Sequence, residues 1–135
     1  RRKMAPAVEV TKISIQPENL CPIDAPLKVG VDFSVDTPLA AARWELRYVA
    51  DHAHRRHVID LGKTEPVALA SGAHHFEHEV SDFGVSGLKK SVVVNVGLFL
   101  AVLFDGDEEV IQISMVTQVV EKNGAILRLV LNPLE

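Results

Sequence analysis

A long apolar stretch constrains the fold of this 135-residue chain more than any other feature. The residues from Val92 to Phe104 carry one polar side chain, Asn95, and are rich in valine. They run into Asp105-Gly106-Asp107 and then into a second apolar-rich stretch, from Glu108 to Val120. Valine favours a pleated, buried strand, and Asp-Gly supplies the positive backbone angles of a tight hairpin turn. The sequence therefore predicts a β-hairpin whose first strand is covered on both faces.

Charge and composition argue against several classes of function. The 14 basic and 18 acidic residues give a formal charge of −4, which offers no general attraction to nucleic acid or anionic membranes. The apolar stretch is shorter than the roughly 20 residues of a membrane-spanning helix. The lone Cys21 cannot form an internal disulfide, and no N-terminal segment resembles a secretion signal. We expect an intracellular protein that binds neither nucleic acid directly nor membranes.

Alternating apolar residues predict further strands. From Leu27 to Val35 the apolar residues recur with a period of two and share one face. The segment from Arg43 to Val49 does the same, and we predict that its Trp44 lies in the core. Other predicted strands cover Val8 to Gln16, His57 to Leu61, Val67 to Ala70, Ala73 to Val80 and Ala125 to Leu131. This many short strands predicts an all-β, immunoglobulin-like, two-sheet antiparallel β-sandwich.

The remaining segments are predicted to connect the strands of one domain over residues 1–135, with a core of about 8–131. Residues 17–26 contain three prolines and predict a loop. Residues 51–56 are polar and basic and also predict a loop, and residues 81–90 predict a crossover loop with room for one helical turn. Leu134-Glu135 looks like a cloning remnant, and Arg1-Arg2-Lys3 is either another remnant or an internal cut, so functional interpretation is confined to the residues between them.

Two of the predicted strands resemble a known family. The runs from Pro26 to Val35 and from Trp44 to Val49 are similar to successive strands of the anti-silencing-function family of histone chaperones. The apolar stretch with Gly106 resembles the long strand and hairpin of that family, and roughly residues 8–121 are covered. The middle part of that family is similar to four segments of this chain: Ile59-Asp60, Glu65-Pro66-Val67, Ser71-Gly72 and the strand through Phe76. The resemblance implies an immunoglobulin-like sandwich that binds the histone H3–H4 pair without catalysis.

The resemblance also implies where histone contacts would lie. The family's histone-facing valine falls near Gly97, and the acidic residue before that strand falls near Ser91. Of two acidic residues in the family's middle, one is matched by Asp60, and Arg56 stands near the other. The family's arginine and paired tyrosines on the following strand fall near three residues of different type, Gln112, Met115 and Val116. These differences favour a partner other than histones.

We therefore predict a non-enzymatic protein-interaction module, with histone H3–H4 chaperoning as the alternative. One predicted surface is the apolar sheet face of Phe99, Ala101 and Met115, where Gly97 allows a backbone to come close. An edge strand, such as the 125–131 segment, is the other, because an unpaired edge can accept an added strand. The predicted contact residues are Asp60, Gly97, Phe99, Ala101, Gln112 and Met115. If the apolar face is internal core instead, we expect the domain to be a scaffold piece of a longer chain.

Histidine is the remaining candidate chemistry, in two groups: His52, His54 and His57, and His74, His75 and His78. In an extended strand His74 and His78 share a face with Phe76, whereas His75 points the other way. Zinc needs three or four convergent ligands, so we predict a solvated surface without a cofactor, with a His74–His78 metal site as the minority alternative. No serine or cysteine stands in a nucleophile motif, which argues against an enzyme.

Overall fold

The computed structural model describes residues 7–52, 55–81 and 96–134, and every regular element in these ranges is a β-strand. The strands are β1 (Val8–Gln16), β2 (Cys21–Pro22), β3 (Leu27–Val35), β4 (Leu39–His52), β5 (Arg55–Lys63), β6 (Val67–Leu69), β7 (Gly72–Val80), β8 (Val96–Asp105), β9 (Glu108–Lys122) and β10 (Ala125–Val130). These ranges contain no helix of the length and apolarity needed to cross a bilayer.

The strands form two antiparallel sheets that pack against each other. The small sheet has the order β1-β3-β7, and the large sheet has the order β2-β10-β9-β8-β4-β5, with β6 also paired to β4. The prediction of an all-β, two-sheet antiparallel β-sandwich is confirmed.

Aromatic side chains join the two sheets at the centre of the core. Trp44 of the large sheet is 5% exposed. Its ring stacks on Phe76 of β7 at 4.6 Å between centroids and meets the edge of Phe33 of β3 at 5.4 Å. Both partners lie on the inward face of the small sheet, where the alternation of β3 also buries Val29 and Val31. The predicted burial of Trp44 is therefore confirmed.

The predicted hairpin is β8–β9, at the centre of the large sheet. Gly106 makes the turn with a φ of 64°, and Asp105 is paired with Glu108. The Asp105 carboxylate accepts a hydrogen bond from the Ala41 N–H at 3.0 Å, which ties the turn to β4. Residues 92–95 of the apolar stretch lie outside the described part of the chain.

The structure differs from the predicted loops in two places. The predicted loop at 51–56 is largely strand, because the backbone pairing of β4 with β5 continues through Asp51↔Arg56 and His52↔Arg55. Backbone hydrogen bonds do not depend on side-chain polarity, so a polar segment can extend a hairpin. The proline-rich loop contains the two-residue strand β2, paired with β10. The predicted crossover loop at 81–90 lies, from residue 82 onward, outside the described residues.

Candidate partner-binding surfaces

The apolar face that was predicted to receive a partner lies inside the sandwich. Phe99, Ala101 and Met115 each have 0% of their surface exposed. They belong to the core between the two sheets, so a partner cannot contact them in the folded chain. The structure corrects the prediction for these three residues, and the alternative reading of this face as internal core describes them.

Gly97 also faces inward. A Cβ atom built there would meet the Tyr48 hydroxyl, the Tyr48 Cζ at 2.6 Å and the Val49 carbonyl oxygen at 2.9 Å. The close approach that Gly97 permits is therefore that of the Tyr48 ring, and not that of a partner's backbone. Of the other predicted contacts, Gln112 and Asp60 are exposed on the outward face of the large sheet.

An apolar row crosses that outward face. Its members are Val58, Val49, Leu98, Val116 and Leu131, which we call the apolar row. Three register pairs link the first four across β5, β4, β8 and β9, and the Leu131 N–H donates to the Val116 carbonyl at 2.8 Å. Directly paired residues share a face, and strands lie about 4.8 Å apart, so the row spans roughly 19 Å.

Exposed apolar side chains are concentrated on this face. Eight large apolar residues of the described chain are exposed, and five of them lie here: Val58, Val96, Val116, Val120 and Leu131. Single exposed apolar residues are normal on a soluble protein, whereas a contiguous group marks a contact surface. Val58 stands apart from the other four, because Val49 between them is only 5% exposed. The outward face of the large sheet is therefore one candidate surface.

A chain of ion pairs borders the apolar row, and we call it the charged border. Arg43 pairs with Glu45, and Glu45 Oε1 lies 2.5 Å from Arg47 Nη2. Arg47 Nε lies 3.8 Å from the exposed Asp60 carboxylate, and the Arg43 guanidinium lies 4.3 Å above the Phe104 ring. Because two members are positive and two negative, the border has no net charge.

The second candidate surface is a groove along one open side of the sandwich, between β1 and β10. Its volume is about 880 Å³. Its lining residues are Thr11 to Gln16, Glu18, Asn19, Leu129 to Asn132 and Leu134. On the opposite side β5 and β7 are in close contact, since a Cβ at Gly62 would lie 2.9 Å from His78 Nε2. The sandwich is thus closed on one side and grooved on the other.

The β1 wall of the groove presents unpaired backbone groups. The Ile13 carbonyl accepts a hydrogen bond from Asn132 Nδ2 at 2.6 Å, so it points away from β3. In an antiparallel strand alternate residues direct both backbone groups to the same side. The N–H and C=O of Ile15 therefore point into the groove, and within the described ranges β3 is the one strand that pairs with β1.

The β10 wall is similar. The Leu131 N–H donates a hydrogen bond to β9. Because neighbouring residues of a strand direct their backbone groups to opposite sides, the preceding residue, Val130, directs its N–H and C=O away from β9. The short strand β2 covers β10 only at Leu127 and Arg128, which leaves the Val130 end of the edge open. The predicted open edge at 125–131 is therefore partly covered and partly open.

The histidine side chains that the structure describes do not converge on one ion. As predicted, His74 and His78 lie on the side of Phe76, with ring centroids 5.7 Å from Phe33 and 6.4 Å from Phe76, respectively. Among the residues that the structure describes, no group of three or more His, Cys, Asp or Glu side chains could hold a metal. The side chains of His52 and His54 lie outside the description.

His75 points to the outward face of the small sheet and joins an exposed polar cluster. Its Nδ1 lies 2.5 Å from Asp32 Oδ1, and its Nε2 lies 3.5 Å from Glu77 Oε2. The hydrogen bond to Asp32, with smaller contributions from Glu77, raises the pKa of His75. Lys28, 3.2 Å from Glu77, holds the pKa of that carboxyl below its usual value. The cluster around His75 is a solvated charged surface.

A buried arginine anchors one end of the groove's β10 wall, and sequence reasoning did not identify it. Arg128 is 1% exposed. Its guanidinium donates to four backbone carbonyls, those of Pro22, Ile23, Ala25 and Pro26, at 2.5–3.3 Å. The signal was present as the one charged residue in the otherwise apolar segment from Ala125 to Leu131. Arg128 holds the proline-rich segment against β10.

Tyr48, the lone tyrosine, provides a pH-dependent test of the core. Burial raises its pKa to about 12 from 10.0, and the positive charge of Arg128 offsets this only in part. We expect its phenolate absorbance to appear near pH 12 in the folded chain and near pH 10 after unfolding. Since the unfolded state loses this proton first, the free energy of unfolding should fall as the pH rises between those values. A native titration near pH 10 would contradict the burial.

Comparison with known proteins gives little functional information. No family model matches the chain, and no curated protein matches it. A solved β-glucosidase from Erythrobacter marinus is similar over 94% of this chain at 12% identity with a TM-score of 0.50. The match spans 16% of the glucosidase chain. A putative late embryogenesis abundant protein covers 94% of this chain and 71% of its own, at 14% identity and a TM-score of 0.37. At such identities the first similarity concerns the fold alone.

Proposed function

We propose that this chain is a non-enzymatic protein-binding domain that takes up an extended segment of a partner in the groove between β1 and β10. The observation that carries the proposal is the open side of the sandwich, where Ile15 and Val130 present unpaired backbone groups across one groove. An added strand satisfies such groups through main-chain hydrogen bonds, and its alternate side chains provide specificity.

The dimensions of the groove define the ligand. The β1 wall runs from Thr11 to Gln16, and at about 3.3 Å per residue it accommodates about six residues of extended chain. Ile13 and Ile15 turn their side chains inward, whereas Lys12 is exposed. The partner segment should therefore alternate, with apolar side chains toward the core and polar side chains toward solvent.

Substitution of Ile15 by proline should abolish capture of the partner. Proline removes the N–H that points into the groove and fills its place with a ring, yet it is tolerated on an edge strand. The immobilised chain would be incubated with cell extract, and bound proteins quantified by mass spectrometry. We expect at least one protein that the unchanged chain retains and Ile15→Pro loses.

The matched control is Ile15→Ala, which loses at least as much buried side chain as Ile15→Pro but keeps the N–H. Its retention of the same protein would separate strand addition from general destabilisation, and thermal unfolding of both variants would verify the fold. Identical sets of proteins on all three baits would refute the proposal.

The resemblance to anti-silencing-function chaperones names one defined partner to test. Purified histone H3–H4 would be titrated into the chain by calorimetry at two salt concentrations, with Asp60→Arg and Ile15→Pro as variants. Sub-micromolar binding lost in Asp60→Arg alone would assign histones to the charged border, and binding lost in Ile15→Pro alone would assign them to the groove. No heat at either salt concentration would exclude the histone alternative.

A further inference from the structure

We infer that Asn132 is an autoinhibitory latch, whose side chain bridges the groove from the end of β10 to β1 and must be displaced before a partner strand can pair there. The inference rests on the proposed function, because it concerns the regulation of the same groove. Asn132 follows shortly after Val130, the last residue of β10, and its Nδ2 donates to the Ile13 carbonyl of β1 at 2.6 Å. One side chain therefore joins the two walls of the groove.

The latch occupies a position that an added strand would need. The Ile13 carbonyl points away from β3 and into the groove, as the backbone groups of Ile15 do. A strand that pairs with β1 at this point would place one of its N–H groups about 2.9 Å from the same oxygen. The Asn132 nitrogen already lies 2.6 Å from it, so the strand and the amide compete for one place.

Both ends of the Asn132 amide are engaged, which fixes its orientation. Its Oδ1 accepts a hydrogen bond from the backbone N–H of Leu134 at 3.0 Å. An amide oxygen only accepts hydrogen bonds and an amide nitrogen only donates them, so this contact directs the nitrogen at the Ile13 carbonyl. The Leu134 contact uses a backbone group that every residue except proline provides. A carboxylate in place of the amide would therefore keep the contact with Leu134 and lose the contact with Ile13.

The strength of the latch suits reversible control. One side-chain hydrogen bond contributes little net free energy, because water satisfies the same groups when it opens. An added strand forms several main-chain hydrogen bonds, so it can displace the amide. While the latch is closed, the apparent affinity for the partner falls in proportion to the fraction of open molecules. The closed latch also covers part of a strand edge that would otherwise be free to pair with other chains.

Fluorescence anisotropy with a labelled peptide tests the latch. The probe is a hexapeptide of alternating valine and threonine with capped ends, which matches the length and alternation expected of the partner segment. Asn132→Asp should tighten its binding about two- to tenfold, the range that one hydrogen bond corresponds to. Gln112→Glu is the matched control, because it makes the same amide-to-carboxylate change on the exposed outward face of the large sheet. It should leave the dissociation constant unchanged.

A second measurement follows the latch in the unchanged chain and needs no variant. By NMR, the Asn132 side-chain NH2 proton that is bonded to Ile13 should exchange with water more slowly in the free chain than at peptide saturation. Equal exchange in the two states would overturn the latch, because the peptide would then bind without displacing the amide.

The outcomes separate the latch from the groove. Ile15→Pro should lose the peptide, and Trp44 fluorescence reports whether each variant is folded. If Ile15→Pro loses the peptide while Asn132→Asp binds it equally or more weakly than the unchanged chain, the latch is refuted and the proposed function stands. If neither the unchanged chain nor Asn132→Asp binds the peptide, the result counts against the groove itself, and the latch fails with it.

Discussion

Replacement of Arg128 by methionine is expected to lower the free energy of unfolding by about 3 kcal/mol. Replacing both members of a buried ion pair with apolar residues can leave the free energy of unfolding unchanged. Here the acceptors include four backbone carbonyls of residues 22–26, which no side-chain substitution can remove. The bond to the Ile23 carbonyl is buried, and methionine leaves that acceptor without this donor, at a cost of roughly 1–3 kcal/mol. The other three bonds are partly buried, and the Pro22 carbonyl also accepts from the Ala25 N–H, so their loss adds less.

Chemical denaturation followed by Trp44 fluorescence would measure this loss. Arg128→Lys keeps the charge but offers a single ammonium in place of a planar group, so it should lose part of the stability. A methionine variant as stable as the unchanged chain would show that water or a local rearrangement satisfies the carbonyls.

Substitution of Gly97 by alanine is expected to cost about 2 kcal/mol, because the added Cβ occupies the space of the Tyr48 ring. The ring cannot withdraw easily, since Tyr48 is 1% exposed and packed in the core. The Val49 carbonyl, 2.9 Å from the added atom, belongs to the backbone of the neighbouring strand and cannot move alone. The sheet itself must shift to admit the methyl group.

Gly30→Ala is the control for this prediction. A glycine-to-alanine change restricts the unfolded chain and thereby raises the free energy of unfolding by about 0.4–1 kcal/mol. The control variant carries the same contribution, so it cancels in the comparison. Its Cβ meets chiefly the Ser14 hydroxyl, at 2.5 Å, which can rotate away at small cost. Similar denaturation midpoints for the two variants would mean that Tyr48 does not confine Gly97.

The two sheets of the sandwich were predictable because their signals are local. The alternation of β3 with a period of two buries Leu27 and Phe33 wherever the strand packs, and it is visible in nine consecutive residues. The Asp-Gly turn between β8 and β9 is equally local, since Gly106 needs a positive φ at that point. For the same reason the aromatic face of Trp44 was correctly predicted to be core.

The candidate surfaces could not be derived in this way. In β8 both faces are apolar, with Leu98 and Leu100 on one and Phe99 and Ala101 on the other. A period of two distinguishes an apolar face from a polar one, but not two apolar faces from each other. The position of the small sheet decides which is covered, so the predicted contact face was the internal one.

Hydrophobic patterning and turn chemistry, read directly from the amino acids, determined the all-β class, the central hairpin and most strand positions. Contacts between residues far apart in the chain decided the rest. Arg128 meets the carbonyls of residues more than 100 positions away, and the groove exists because the edges of two separate sheets lie side by side. Burial and edge exposure depend on which strands become neighbours, and a local pattern does not record that information.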